Sequence, residues 1–230
     1  MSGQRRTALK DENATIRFSA QKVAEHYEYL QFDVDWSHLN CYNNYGLVCP
    51  SRKRIWSERK GATMNPVLKY RGGKSREIPR FLQYIPDDFN RYIEPFFGGG
   101  AVYFYLEPEN AIINDVNTRL MTFYRQLRDN YPEMRTQLDA LQQLYEENQA
   151  RYKKLKAQTP DERVPNDNEA LYYRIRELFN HPDDSYLDGV LYFFINKTAY
   201  SGMIRYNNSG EYNVPFGRYP NLNTRLVTQQ

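Results

Sequence analysis

The sequence predicts an α/β domain built on an open sheet. Three neighbouring features predict it. Arg91-Tyr92-Ile93 reads as a buried strand ending on an acid, Glu94, and Pro95 stops it because proline has no N–H to give a ladder. Gly98, Gly99 and Gly100 follow, and glycine tolerates positive φ and lets a ligand approach the backbone. An apolar run opening with Ala101-Val102 then starts a helix. Strand, glycine turn and helix in that order place a cofactor at the strand ends.

A second strand, Ala111-Ile112-Ile113-Asn114, ends in Asp115, 21 residues after Glu94. An acid roughly 20 residues beyond a glycine turn is placed to accept the hydroxyls of a ribose. The turn does not spell G-x-G-x-x-G, and no G-x-x-x-x-G-K-[ST] occurs, so a phosphate cradle of that kind is not supported. Taken alone, the glycine triplet reads as an ordinary tight turn of an α/β domain.

Four stretches in one order carry more than any one of them. They are Lys69-Tyr70-Arg71-Gly72-Gly73-Lys74, the run from Glu94 through Pro95, Phe96 and Phe97 to the three glycines, Ile113-Asn114-Asp115-Val116-Asn117, and Asn213-Val214-Pro215-Phe216-Gly217. Over these motifs the sequence resembles the Dam-type (D12 class) DNA adenine N6-methyltransferases. The resemblance implies a Rossmann-like S-adenosylmethionine-dependent methyltransferase domain, its sheet incomplete here, with a helical and β-hairpin DNA-recognition insertion. It implies S-adenosylmethionine as cofactor, with contacts from Tyr70, Lys74, Glu94, Phe97 and Asp115, and with Gly98 and Gly100 shaping the turn. No metal is implied.

Composition agrees without demanding this reading. The chain has 230 residues, enough for one large domain or one and a half, and is 40% hydrophobic and 26% charged. No apolar run approaches the ~18 residues of a spanning helix, and Met1-Ser2-Gly3-Gln4-Arg5-Arg6 is not followed by the apolar core of a secretory signal. Cys41 and Cys49 match no zinc spacing with His26, His38 and His181, so free thiols in a reduced compartment are expected. For a bacterial or phage source the implied location is cytoplasmic and nucleoid-associated. For another virus the host compartment stays open.

Charge is uneven. Residues 1–63 carry 10 Lys and Arg against 7 Asp and Glu, whereas residues 64–230 carry 21 of each. The excess gathers at Arg52-Lys53-Arg54 and Arg59-Lys60, which suit either a phosphate backbone or a solvated linker. Residues 1–63 are read as a basic extension packing on the main domain, with a short helix over 19–27 capped by Ser19. Its aromatics Trp36, Tyr42, Tyr45 and Trp56 are unusual company for a disordered tail.

Residues 64–116 form the expected cofactor part, 117–219 the target-recognition part and 220–230 the start of a C-terminal part. Asn117 caps a helix over 118–129, and Pro132 suits the first turn of the next. Leu138, Leu141, Leu144, Tyr145, Tyr152 and Leu155 recur at helical spacing as a packing stripe. A loop over 159–168 and helices over 169–180 and 186–195 follow.

The last block runs from Asn196 through Tyr206 to a turn at Asn207-Asn208-Ser209-Gly210 between two short strands. Arg205 on such a hairpin can reach guanine O6 and N7 in a major groove. The resemblance implies that Arg205 reads guanine and that Tyr200 wedges into the base stack. It also implies that Lys197 holds phosphate and that Asn213 lies at the DNA. Ser201 departs from the Asn of some members. The plainer alternatives are an Arg205–Glu211 ion pair and a core role for Tyr200.

The family's catalytic motif, Asp-Pro-Pro-Tyr or a close variant, occurs nowhere in these 230 residues, so no catalytic residue is assigned. The expectation is a site-specific DNA adenine N6-methyltransferase, truncated or split before that motif. Its partners would be double-stranded DNA and a complementary chain bearing the motif. The alternative is a non-catalytic DNA-binding or regulatory protein derived from a methyltransferase.

Overall fold

A computed structural model describes residues 30–33, 64–86 and 89–226. The expected helix at 19–27, the aromatics Trp36, Tyr42, Tyr45 and Trp56, the basic clusters, and Cys41 and Cys49 lie outside the described residues.

The expected strand–turn–helix–strand unit is present. Strand β2 (Tyr92–Glu94), helix α2 (Ala101–Leu106) and strand β3 (Asn110–Ile113) follow in order, and β2 pairs parallel with β3 in the register Tyr92↔Ala111, Ile93↔Ile112, Glu94↔Ile113. A further strand, β1 (Leu30–Asp33), pairs antiparallel along the other side of β3, so the sheet runs β1-β3-β2. The sequence reading assigned no strand there. The period-2 alternation of β3 buries Ala111 and Ile113 on the face that also carries Tyr92 and Glu94, whereas Ile93 on the opposite face is exposed.

Before the unit comes a single turn, α1 (Ile78–Phe81), continued by a 3₁₀ turn to Tyr84. After it the chain is helical. Asn117 caps α3 (Thr118–Asp129) by accepting the Leu120 N–H at 3.2 Å, as expected of an N-cap asparagine. Helix α4 (Tyr131–Gln158) starts with Pro132 in its first turn. Its stripe divides: Leu138, Leu141 and Tyr145 are buried, but Leu144 lies at the edge of the buried face and is exposed, and Leu155 is exposed beyond the last buried residue of the helix, Asn148.

Helix α5 (Asp167–Asn180) begins two residues earlier than its hydrophobic pattern suggests, since Asn166 is the residue whose side chain accepts the Asn168 N–H at 3.0 Å. Helix α6 (Asp188–Thr198) runs three residues beyond its expected end and is buried from Gly189 to Asn196. Burying Val190, Leu191, Phe193, Phe194 and Ile195 is worth about 1.5–3 kcal/mol each, which makes α6 the spine against which α3, α4 and α5 pack.

The expected strands on either side of residues 207–210 do not form. Only one antiparallel bridge, Tyr206↔Tyr212, joins the two arms. The reason is competition from side chains. Asn207 Oδ1 accepts the N–H groups of Ser209 and Glu211, the latter an amide that would otherwise return to the Asn207 carbonyl, while Asn180 of α5 binds the outward-facing N–H and C=O of Tyr212 at 2.8 and 3.1 Å. The turn is thus docked on α5 instead of being extended as a ladder. Residues 220–226 return to α4, where Leu222 and Leu226 are buried and Arg135 donates to the Thr224 carbonyl and hydroxyl at 2.6 and 2.7 Å.

Candidate functional site

Three hydrogen bonds join the carboxyl ends of β2 and β3, and a fourth braces the loop after β3. Asn114 N–H donates to Glu94 O at 3.0 Å, and Phe97 N–H, the first amide beyond Pro95 to rejoin the strand, donates to Asn114 O at 2.8 Å. Gly98 N–H donates to Asp115 Oδ2 at 2.8 Å and Asn117 N–H to Asp115 Oδ1 at 2.9 Å. Asp115 therefore ties the glycine turn after β2 to the helix cap after β3. Each of its oxygens keeps a lone pair for another donor.

The turn needs glycine for two reasons. Gly98 and Gly100 have φ of +52° and +69°, in the left-handed region that side chains avoid. A Cβ on Gly100 would also lie 2.4 Å from the Phe97 ring, and one on Gly98 would lie 3.0 Å from the ring of Tyr70. Tyr70 thus lies against the turn. Burial and the nearby Asp115 carboxylate raise its pKa.

Glu94 accepts the Tyr92 hydroxyl at 2.8 Å, because residues i and i+2 of a strand share a face. Burial pushes its carboxyl up to about 7, against the opposing effects of the Tyr92 and Tyr103 hydrogen bonds. The geometry joins Tyr70, Glu94, Gly98, Gly100 and Asp115. Phe97 sits differently: its ring is buried, edge-on to Tyr124 at 4.8 Å, and only its backbone faces the turn. Lys74 is exposed and pairs with Glu77 at 3.3 Å. Phe96 and Val116, just past the two strand ends, are 85% and 71% exposed. Sequence reading passed over both, because exposure of an apolar side chain leaves no mark in the hydrophobic pattern.

A second group lies where α6 ends. Tyr200 is 60% exposed, which removes the alternative of a core aromatic. Ser201 has φ +56° within the 3₁₀ turn Tyr200–Gly202 and donates its N–H to the Tyr219 hydroxyl at 3.1 Å. Arg205 does not pair with Glu211. Its guanidinium donates to Asn213 Oδ1 at 2.8 Å and to Asn213 O at 3.3 Å, while Glu211 accepts from Asn207 and approaches His181. Two residues singled out for DNA, Arg205 and Asn213, are therefore in contact.

Lys197 is half-buried, donates to the Val67 carbonyl and lies 5.0 Å from the Phe193 ring centre. Burial and the neighbouring Lys69 lower its pKa to about 8. Lys69 itself sits 4.3 Å from the Tyr219 ring centre. Its backbone is held at both ends by the buried Asn196, which accepts Lys69 N–H at 2.9 Å and donates to Lys69 O at 2.7 Å. Asn196, Lys69 and Tyr219 were missed as site residues. Asn196 did leave a signal, a lone amide closing the apolar run of α6, since a buried amide must find a partner.

The molecule is therefore an α/β protein with a carboxylate-flanked glycine turn at the ends of parallel strands and an exposed aromatic and arginine on a separate loop. Comparison with known proteins defines it further. Residues 70–229 match the family described as D12 class N6 adenine-specific DNA methyltransferase, and the chain belongs to that family of enzymes. It is 35% identical over 163 residues to the type II methyltransferase M.CviBI of Paramecium bursaria Chlorella virus NC1A, covering 70% of this chain and 53% of that protein. It is 33% identical over 173 residues to the type II methyltransferase M.MjaIII of Methanocaldococcus jannaschii, covering 69% and 54%. It is 33% identical over 155 residues to the DNA adenine methylase of Escherichia coli K12, covering 66% and 47%. The chain thus spans about half the length of the curated relatives it matches. No described helix is long and apolar enough to cross a membrane.

Proposed function

We propose that these residues bind S-adenosylmethionine across the carboxyl ends of β2 and β3, present duplex DNA to it, and serve site-specific methylation of adenine N6. The observation that carries this reading is the parallel β2–β3 pairing, which sets Glu94, the glycine turn and Asp115 side by side. In a Rossmann-like sheet such a crevice is where a nucleoside ligand lies. The residues suit the group. Asp115 has acceptor capacity for ribose hydroxyls, Tyr70 leaves only a backbone-thin space over the turn, and exposed Phe96 and Val116 offer apolar surface to a purine. Lys74, exposed as it is, reaches the ligand only by leaving Glu77.

Residues 64–116 are the cofactor part in this reading, and 117–219 the DNA-facing insertion. Tyr200, projecting into solvent, inserts at the base step vacated by the target. Arg205, held by Asn213, reads guanine, and Lys197 with Lys69 meets phosphate. When bound, the cofactor supplies a sulfonium methyl group. The chain's own residues hold its ribose and orient the DNA, and proximity supplies much of the rate. The adenine amine is a weak nucleophile that needs a hydrogen-bond acceptor, and the family's Asp-Pro-Pro-Tyr motif is not among these 230 residues. That clamp has to be supplied from elsewhere, in the same chain or another.

Three measurements test the reading. Calorimetry with S-adenosylhomocysteine should detect binding by the 230-residue chain, and Arg205→Ala should lower discrimination among duplexes by about 1–3 kcal/mol without abolishing non-specific binding. Residues 1–230 alone should transfer no labelled methyl to mixed-sequence duplex, and adding a polypeptide bearing Asp-Pro-Pro-Tyr should restore transfer. Turnover by residues 1–230 alone would mean that another segment does the clamp's work.

A further inference from the structure

Arg119 is oddly placed for a helix stabiliser. It is the second residue of α3, where the helix dipole disfavours a cation. Its side chain instead serves a different helix. The guanidinium donates to Phe179 O at 3.0 Å, a carbonyl in the last turn of α5 with no onward helical partner. It lies 4.2 Å from the Phe179 ring centre and 5.8 Å from that of Tyr206.

Tyr206 belongs to the recognition turn. It bridges Tyr212, their rings 6.0 Å apart and nearly perpendicular, and directly follows Arg205. The turn is thus held at its base from two sides. Asn180 holds the Tyr212 backbone, and Arg119 fills the space between the end of α5 and the Tyr206 ring. Arg119 also stands four residues after Asp115, on the helix that the Asp115 loop leads into. The helix that leaves the strand-end site therefore carries, in its first turn, the side chain that reaches the loop bearing Arg205.

We infer that Arg119 is a positioning residue for base recognition: through Tyr206 it sets the tilt of the turn that presents Arg205, relative to the strand-end site. This rests on the reading of Arg205 as a base-reading arginine. The physical ground is tolerance. A bidentate contact needs its groups within about 0.5 Å of productive geometry, which a two-residue bridge does not guarantee by itself. In this role Arg119 acts through Tyr206 and needs no base or phosphate contact of its own.

The test selects bound duplexes from a random-sequence pool with the full 230-residue chain. The wild type should enrich a word containing a guanine favoured about tenfold or more. Arg119→Met, which keeps length but neither charge nor donors, should reduce that preference to under about threefold while leaving the salt dependence of total binding unchanged. Arg119→Lys, which keeps a cation beside Phe179 and Tyr206, should retain most of it. Should Arg119→Met unfold the chain, Tyr206→Leu removes the ring on the turn side and leaves the bond to Phe179 O intact. It should relax the same position. Full guanine preference in either folded variant, with only total affinity reduced, overturns the inference and makes Arg119 a stabiliser alone. No enriched word in the wild type would instead overturn the underlying reading of site-specific DNA binding.

Discussion

Asp115 holds Gly98: its Oδ2 accepts the Gly98 N–H at 2.8 Å across the two strand ends, while Oδ1 accepts the N–H of Asn117. The acid expected to bind ribose thus also builds the turn on which the cofactor would rest. Removing it should have two effects. Asp115→Ala should cost folding stability by about 1.5–3 kcal/mol per lost bond to a charged acceptor, and should weaken S-adenosylhomocysteine binding as well. Thermal melts and calorimetry read the two separately. Loss of stability with unchanged affinity would restrict Asp115 to the turn.

Glu94 should make cofactor binding depend on pH. Its carboxyl is raised by burial to about 7. A carboxyl raised in the fold contributes stability below its unfolded value, and that contribution is lost as pH rises through about 7. The ligand-free chain should therefore lose stability between pH 4.5 and about 7 through this group and level off above it, and Glu94→Gln should flatten that slope. If the ligand binds the ionised form, affinity should fall by up to about tenfold per pH unit below 7 and level off above it. Calorimetric titrations at pH 5.5, 6.5 and 8 with wild type and Glu94→Gln check this, since the variant should show no such trend.

Lys197 should produce the opposite dependence in DNA binding. Burial and Lys69 lower its pKa to about 8, so it loses its charge just above neutrality. A phosphate contact favours the ammonium form. Affinity for any duplex should therefore fall as pH rises from 8 to 9, by no more than about tenfold for one proton. Lys197→Gln should bind more weakly at pH 7, show a smaller salt slope by about one unit, and lose the pH effect. Fluorescence anisotropy across pH and salt measures all three. A wild type indifferent to pH over this range would leave Lys197 a structural donor to the Val67 carbonyl.

Ser201 adopts φ +56° and ψ +16° beside the exposed Tyr200. Serine lacks glycine's freedom there and is less at home than asparagine in the left-handed region. Ser201→Gly should relieve strain of about 1–2 kcal/mol, less roughly 0.4–1 kcal/mol for the freedom glycine adds to the unfolded chain, for a small net gain in stability. Ser201→Asn should do as well without that cost. Denaturant melts decide it, and a drop in midpoint for both variants would show that the serine hydroxyl stabilises this turn.

Much of this protein was readable in one dimension. The strand to Glu94, the helix from Ala101, the cap at Asn117 and the helix opening with Pro132 follow from proline, glycine and asparagine chemistry that acts within a few residues. So does the parallel approach of the strand ending at Glu94 to the strand that leads to Asp115. Three matters were decided only in three dimensions. The arms around residues 207–210 form a docked turn, because Asn207 takes the Glu211 amide a ladder would use and Asn180 holds Tyr212 to α5. Arg205 turns to Asn213 and away from Glu211, a choice between two nearby acceptors that spacing does not resolve. Asn196 clamps Lys69 across 127 residues, and Arg119 caps a helix 60 residues away. Contacts of that kind depend on how helices pack around the buried α6, and packing is a property of the whole chain that no local pattern encodes.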